Sequence, residues 1–262
     1  MLKTRIITSV ISLVIMGTVL FVLPASVAKL FIALLILVGA WEWAGFLNLS
    51  AGAARYVYVV LIGILMAIVF FVVPELSERV LQIACIWWCV AFLWIFFFPT
   101  PIPMPVRWVC GVLVLIPVFV ALLKLYSLSA EILLFALVIV WAADMGAYFF
   151  GKLFGRVKLA PSISPGKTWE GVFGGLLLVL LLTLAFAKYS GFDPAVLVPF
   201  CLAVAALSIV GDLTVSMFKR TAGIKDSGKL FPGHGGILDR IDSISSATPL
   251  FALGVSWLGL VG

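Results

Sequence analysis

Long apolar runs separated by short polar breaks make up almost the whole chain. Nine runs of 17 to 21 residues can be read off it, at about 6–23, 27–47, 56–73, 79–98, 107–123, 130–150, 171–188, 195–215 and 245–261. A helix of that length spans roughly 30 Å of hydrocarbon. Inside lipid a backbone must satisfy its own polar groups, and for runs of this kind the helix does so. The pattern therefore predicts an all-α protein: a polytopic membrane bundle of about nine transmembrane helices. Two segments break the rhythm. "GKLFGRVKLAPSISPGKTWE" (151–170) and "SMFKRTAGIKDSGKLFPGHGGILDRIDS" (216–243) are basic and rich in Gly, Pro and Ser, and read as loops or broken helices at the membrane surface. They divide the chain into an N-terminal region, 1–128, with about five spans, and a region 129–262 that carries both segments.

Composition supports a membrane protein and excludes a soluble one, since 65% of residues are hydrophobic, 11% are charged and the mean hydropathy is +1.30. Cys85, Cys89, Cys110 and Cys201 all fall in apolar runs, without CxxC spacing or a neighbouring histidine, so no zinc set is expected. Lys3 and Arg5 precede the first run. That run is longer than the core of a signal peptide and a second follows at once, which predicts an uncleaved first helix.

Charge adds an orientation. With the N-terminus in the cytoplasm, 13 of the 17 Lys and Arg fall on the cytoplasmic side and only Lys29, Arg79, Lys124 and Lys188 on the other. Such a bias places the N-terminus and both unusual segments inside the cell. The net charge of +6 is thus gathered on one membrane face, and no basic face interleaved with aromatics points to nucleic acid.

Three acids, Glu42, Asp144 and Asp212, lie within apolar runs, each toward the cytoplasmic end. An ionisable group there is costly unless it meets protein, water or a partner, and so marks a candidate site. Glu42, between Trp41 and Trp43, reads equally well as an interfacial residue. Asp144 and Asp212 each precede one of the two unusual segments. In the second of these, Lys219, Arg220, Lys225, Lys229 and Arg240 with a flexible "PGHGG" turn are what a polyphosphate needs: point charges, a planar fork and closely approaching backbone amides. Carboxylates do not bind phosphate, but they hold hard divalent cations. Asp239 and Asp242, three apart, share a face if their segment is helical, and with Asp212 they form a candidate metal site.

Ser216, Lys219-Arg220, Lys225-Asp226, Gly228, Phe231-Pro232, His234-Gly235-Gly236, Asp239-Arg240 and Asp242 resemble, at these spacings, the signature of the phosphatidate cytidylyltransferases, or CDP-diacylglycerol synthases. The first segment is similar to the same family through Asp144, Ala147-Tyr148, Gly151, Gly155, Ser164, Pro165, Lys167, Thr168, Glu170 and Gly171. The resemblance covers about 141–175 and 208–246; the first half matches only as hydrophobic spans. It implies condensation of CTP with phosphatidic acid to CDP-diacylglycerol and pyrophosphate, in a homodimeric enzyme of the cell (inner) membrane. It also implies dependence on magnesium, with a second, monovalent cation such as potassium, and metal ligation by Asp212, Asp239 and Asp242.

The expected site then assigns Asp144, Lys167, Lys219, Arg220, Lys225, Asp226 and Arg240 to catalysis, with Arg240 orienting its two flanking acids. Ser164, Thr168, Ser216, His234, Gly235 and Gly236 are assigned to substrate binding. A phosphate monoester is largely dianionic at neutral pH, so no protein nucleophile is needed. Three alternatives carry their own expectations. A secondary transporter predicts polar residues in the middle of several spans, whereas here they cluster at one face. A CDP-alcohol phosphotransferase predicts a DG…G…D…D run, which the chain lacks. An anionic-lipid-binding protein leaves the acids unexplained.

Overall fold

The computed structural model describes residues 2–47, 52–73, 75–228, 230 and 235–258, with the side chains of 2–7 and 9 left aside. Among them run nine α-helices: α1 (Leu2–Phe21), α2 (Ala25–Trp43), α3 (Ala53–Ala67), α4 (Leu76–Ile95), α5 (Met104–Leu128), α6 (Ala130–Phe154), α7 (Trp169–Ser190), α8 (Pro194–Thr221) and α9 (Leu238–Trp257). A single 3₁₀ turn, Ala44–Leu47, extends α2, and a widened turn over Ile68–Val72 extends α3. The breaks follow local chemistry. Pro24 and Pro103 stand just before α2 and α5 and Pro194 opens α8, positions where a missing N–H costs nothing. Ser129 caps α6, Asp193 caps α8, and Gly191 at φ 78° ends α7.

Seven of these helices, α2 to α8 with the two extensions, are long and apolar enough to cross a bilayer. The protein is a multi-pass membrane protein. The expected nine spans correspond to nine helices among the described residues, but α1 and α9 do not reach that standard. The described apolar part of α1 is Val10–Phe21. α9 carries Asp239, Arg240, Asp242, Ser243, Ser245, Ser246 and Thr248, yet its residues 241–249 and 251–255 are all buried. It packs against α2, α4, α5, α6 and α8. A helix enclosed by protein need not be apolar enough for lipid, which is why α9 begins seven residues before the expected run and takes in Asp239 and Asp242.

Two further boundaries differ from the sequence reading. α8 continues to Thr221, so Ser216, Lys219 and Arg220 are helical and the connection to α9 is only 222–237. The 151–170 segment is neither loop nor broken helix throughout: α6 runs to Phe154, and then β1 (Lys158–Ala160) pairs antiparallel with β2 (Ser164–Thr168), Lys158 facing Thr168 and Ala160 facing Ser164. This hairpin is the one exception to the all-α expectation among the described residues. Next to it α6 and α7 pack backbone to backbone, because a Cβ on Gly146 would stand 2.6 Å from the Gly174 carbonyl oxygen and 2.8 Å from the Gly175 Cα. Small residues that let membrane helices approach this closely gain dispersion contacts which lipid cannot supply.

Candidate active site

One end of the bundle collects the C-terminal ends of α2, α6 and α8, the N-terminal ends of α5, α7 and α9, and the hairpin. Side chains stitch them together. Arg107 of α5 donates to Phe46 O at 2.9 Å and to Ile102 O at 2.8 Å, and Trp43 Nε1 donates to Arg107 O at 3.0 Å. Phe218 of α8 packs against Trp43 and Trp94, with ring centroids 5.0 and 6.0 Å apart. Gly211 sets α8 against α9: a Cβ there would lie 2.5 Å from the Asp242 carbonyl oxygen. That approach brings Asp212 within electrostatic reach of Asp242.

Two ion pairs form the centre. Lys167 of β2 reaches Asp212 with Nζ–Oδ2 2.7 Å, both side chains 26% exposed. Lys219 of α8 lies 2.7 Å from Asp239 Oδ1 and 3.9 Å from Asp242 Oδ2, all nearly enclosed. Ser216 donates to Asp212 at 3.2 Å, one helical turn away. Asp144 of α6 accepts from Ser243 at 3.5 Å and interacts electrostatically with Asp212, Lys167 and Arg240. Thus Asp144, Asp212, Asp239, Asp242, Lys167, Lys219, Ser216 and Arg240, drawn from four elements, share one site.

Other expected residues have different surroundings. Arg220 ties α8 to the hairpin through Ile163 O at 3.0 Å and to the start of the 222–237 connection through Ile224 O at 3.4 Å. Thr168 is buried and accepts from Gly171 N at 3.2 Å as the cap of α7. Ser164 pairs in β2, while Lys225 and Asp226 are exposed in the 222–237 connection. Gly235 adopts φ 81°, where a side chain is disfavoured, and a Cβ would meet Asp239 Oδ2. Gly236 donates its amide to Asp239 at 2.9 Å. His234 lies outside the described residues, as do Lys229 and Phe231-Pro232.

Glu42 follows one of its two sequence readings and not the other. It is buried rather than interfacial and accepts three hydrogen bonds: from Ser227 Oγ at 2.8 Å, Ile237 N at 3.0 Å and Leu238 N at 2.8 Å. Of its two sequence readings, the flanking tryptophans pointed to the interface, and its place as an acid within an apolar run pointed to the site where it is found.

Among the described residues no three Asp, Glu, His or Cys side chains are spaced to close on one metal ion. The donor set nonetheless suits a hard divalent cation. Four carboxylates, all-oxygen donors, gather around the Lys167 and Lys219 ammonium groups, with Arg240 adding its charge beside Asp144. The surplus is anionic.

The family model for cytidylyltransferases matches residues 3–258. The chain belongs to the cytidylyltransferase family. It is 43% identical over 261 residues, 96% of each chain, to a Pseudomonas aeruginosa protein named phosphatidate cytidylyltransferase. A Haemophilus influenzae protein of the same name is 34% identical over 287 residues, covering 96% of this chain and 98% of its own. One from Staphylococcus saprophyticus is 44% identical over 134 residues, about half of each. The match of this cytidylyltransferase to its family therefore reaches well beyond the two signature segments into the first half, which supplies Glu42.

Proposed function

We propose that the protein is a phosphatidate cytidylyltransferase of the cell (inner) membrane, condensing CTP with phosphatidic acid to CDP-diacylglycerol and pyrophosphate, with its site and N-terminus cytoplasmic. The observation that carries this reading is the meeting of the two signature regions, 141–175 and 208–246, through Lys167–Asp212, beside the Lys219–Asp239 pair within the second, at the end of a bundle built from apolar helices. A soluble triphosphate and a bilayer-held phosphatidate can both reach such a place.

The lipid phosphate is its own nucleophile: one of its oxygens forms a bond to the α-phosphorus of CTP as the bond from that phosphorus to the α,β-bridging oxygen breaks, and pyrophosphate leaves with the electron pair. The obstacle is repulsion between two polyanions. Lys167, on the hairpin and half open, is placed to exchange Asp212 for a phosphate oxygen. Lys219 is held by Asp239 and Asp242 and keeps those acids in place. Lys225 is exposed and free to approach the nucleotide from the connection; Arg220 fixes the hairpin relative to α8. Asp212, Asp239 and Asp242, with Asp144 nearby, are the residues that would hold magnesium, with potassium as a second cation. When bound, magnesium neutralises phosphate charge and polarises the α-phosphorus. We further propose that the working unit is a homodimer.

The test is purified protein in detergent with CTP and phosphatidate, with and without magnesium, followed by pyrophosphate release. Turnover that requires all three supports the reading. No turnover, or equal turnover without phosphatidate, overturns it.

A further inference from the structure

Glu42 stands in the half of the chain that carries none of the signature residues, 185 positions before Ser227 and 196 before Leu238. Its carboxylate meets both ends of one short segment. Oε2 accepts from the Ser227 hydroxyl and from Leu238 N, and Oε1 from Ile237 N. Asp239 repeats the arrangement from the other side. Its Oδ2 accepts from Ser227 N, Ser227 Oγ and Gly236 N, all at 2.9 Å, while Oδ1 holds Lys219. The single Ser227 hydroxyl proton is shared between the two carboxylates. The chain thus leaves at Ser227 and returns at Gly236 to the same pair of acids.

The local physics explains why an acid is needed. The first amides of a helix have no partner within it, and their dipoles favour negative charge. No side chain at the start of α9 caps it from Ile237, the residue just before it. Asp239 reaches back to Gly236, and Glu42 takes the next two amides from a different helix. The fit leaves no room: a Cβ on Gly228 or on Gly236 would fall on the Glu42 carboxylate. Gly228 and Gly236 are both part of the signature, and contact with Glu42 accounts for glycine at each.

We propose that Glu42 is a positioning residue for the cytidylyltransferase reaction. With Asp239 and Ser227 it clamps the two ends of segment 227–236 and fixes the first turn of α9, on which Asp239 and Asp242 stand. Glu42 touches no substrate. It acts through the placement of Asp239, Asp242 and, by way of Asp239, Lys219. The consequence for turnover rests on the activity proposed above; the clamp itself does not.

Two readouts on the full-length protein in detergent test it. Glu42→Gln keeps size and shape but offers one carbonyl oxygen where two acceptors are needed, and sets an N–H against an N–H. Displacement of a reacting group by about 1 Å can cost on the order of 100-fold in rate. A fall in kcat of that order is expected, with KM for CTP and phosphatidate changed much less. Hydrogen exchange should accelerate at the Ile237 and Leu238 amides and not at the α6–α7 contact. Ser227→Ala, which deletes only the shared hydroxyl, should give a smaller loss in kcat, and the double variant should lose less than the product of the two single losses. If Glu42→Gln does not fold, Ser227→Ala decides by the same two readouts. Unchanged exchange at Ile237 and Leu238, or kcat within twofold of wild type despite faster exchange, overturns the proposal. Were the wild-type protein inactive on CTP and phosphatidate, the exchange pattern would still decide whether the clamp exists.

Discussion

Lys167 and Lys219 look alike in sequence and differ in the structure. The Lys167–Asp212 pair is 26% exposed on both sides, and such pairs contribute little to stability, so the lysine can change partners at low cost. Lys219 is enclosed by Asp239 and Asp242 at 9% side-chain exposure, and removing it would strand buried carboxylates. Lys167→Ala is therefore expected to raise KM for CTP and lower kcat/KM by on the order of 100-fold, with little change in melting temperature. Lys219→Ala should lose activity and also destabilise the fold by about 3–5 kcal/mol, visible as a fall in the melting temperature of the purified protein. Asp239→Asn should abolish measurable pyrophosphate release, since it weakens the Lys219 pair and puts an N–H among amide donors. Lys29→Ala is the control. It lies near the opposite end of α2, roughly 20 Å along the helix from Glu42, and turnover should stay within about twofold. These charges were legible in the sequence because they stand out against an apolar chain. The partner of Glu42 was not, since it is mostly backbone amide nearly two hundred positions away, and an amide carries no residue-specific signature.

Elements were legible to the degree that lipid dictates them. α2 to α8 follow from run length alone, since a helix facing hydrocarbon must be apolar along its span. α9 is legible only from residue 245 onward, because its first turns face protein and Lys219 rather than lipid, so hydropathy falls where the helix begins. In sequence the hairpin reads as loop or broken helix because β1 is three residues long and β2 contains Pro165 and Gly166, composition that ordinarily marks a turn. The α6–α7 contact was equally hidden: Gly146, Gly174 and Gly175 look like unremarkable small residues until their backbones are seen to touch. Gly146→Leu should separate these helices and with them the hairpin bearing Lys167. A loss on the order of 2 kcal/mol is expected, read as earlier thermal aggregation in detergent, with activity reduced in the fraction that remains folded.

At the scale of the whole molecule, the site sits at one end, and the orientation proposed from the basic residues can be checked directly. In a background lacking the native cysteines, Ser162→Cys in the hairpin turn and Ser190→Cys at the end of α7 are separated by the length of that helix. A membrane-impermeant maleimide applied to intact cells should label the second and not the first; the reverse pattern would invert the proposed topology. The same architecture constrains biogenesis. α9 is delivered by the ribosome after the other eight described helices, and its serines, threonine and aspartates give it little tendency to partition into oil unaided. It has to be received by a cleft already lined by α2, α4, α5, α6 and α8. Enzymatic competence is thus acquired only once α9 has emerged and docked, and a nascent chain stalled before residue 238 would leave the membrane holding a scaffold without Asp239 and Asp242.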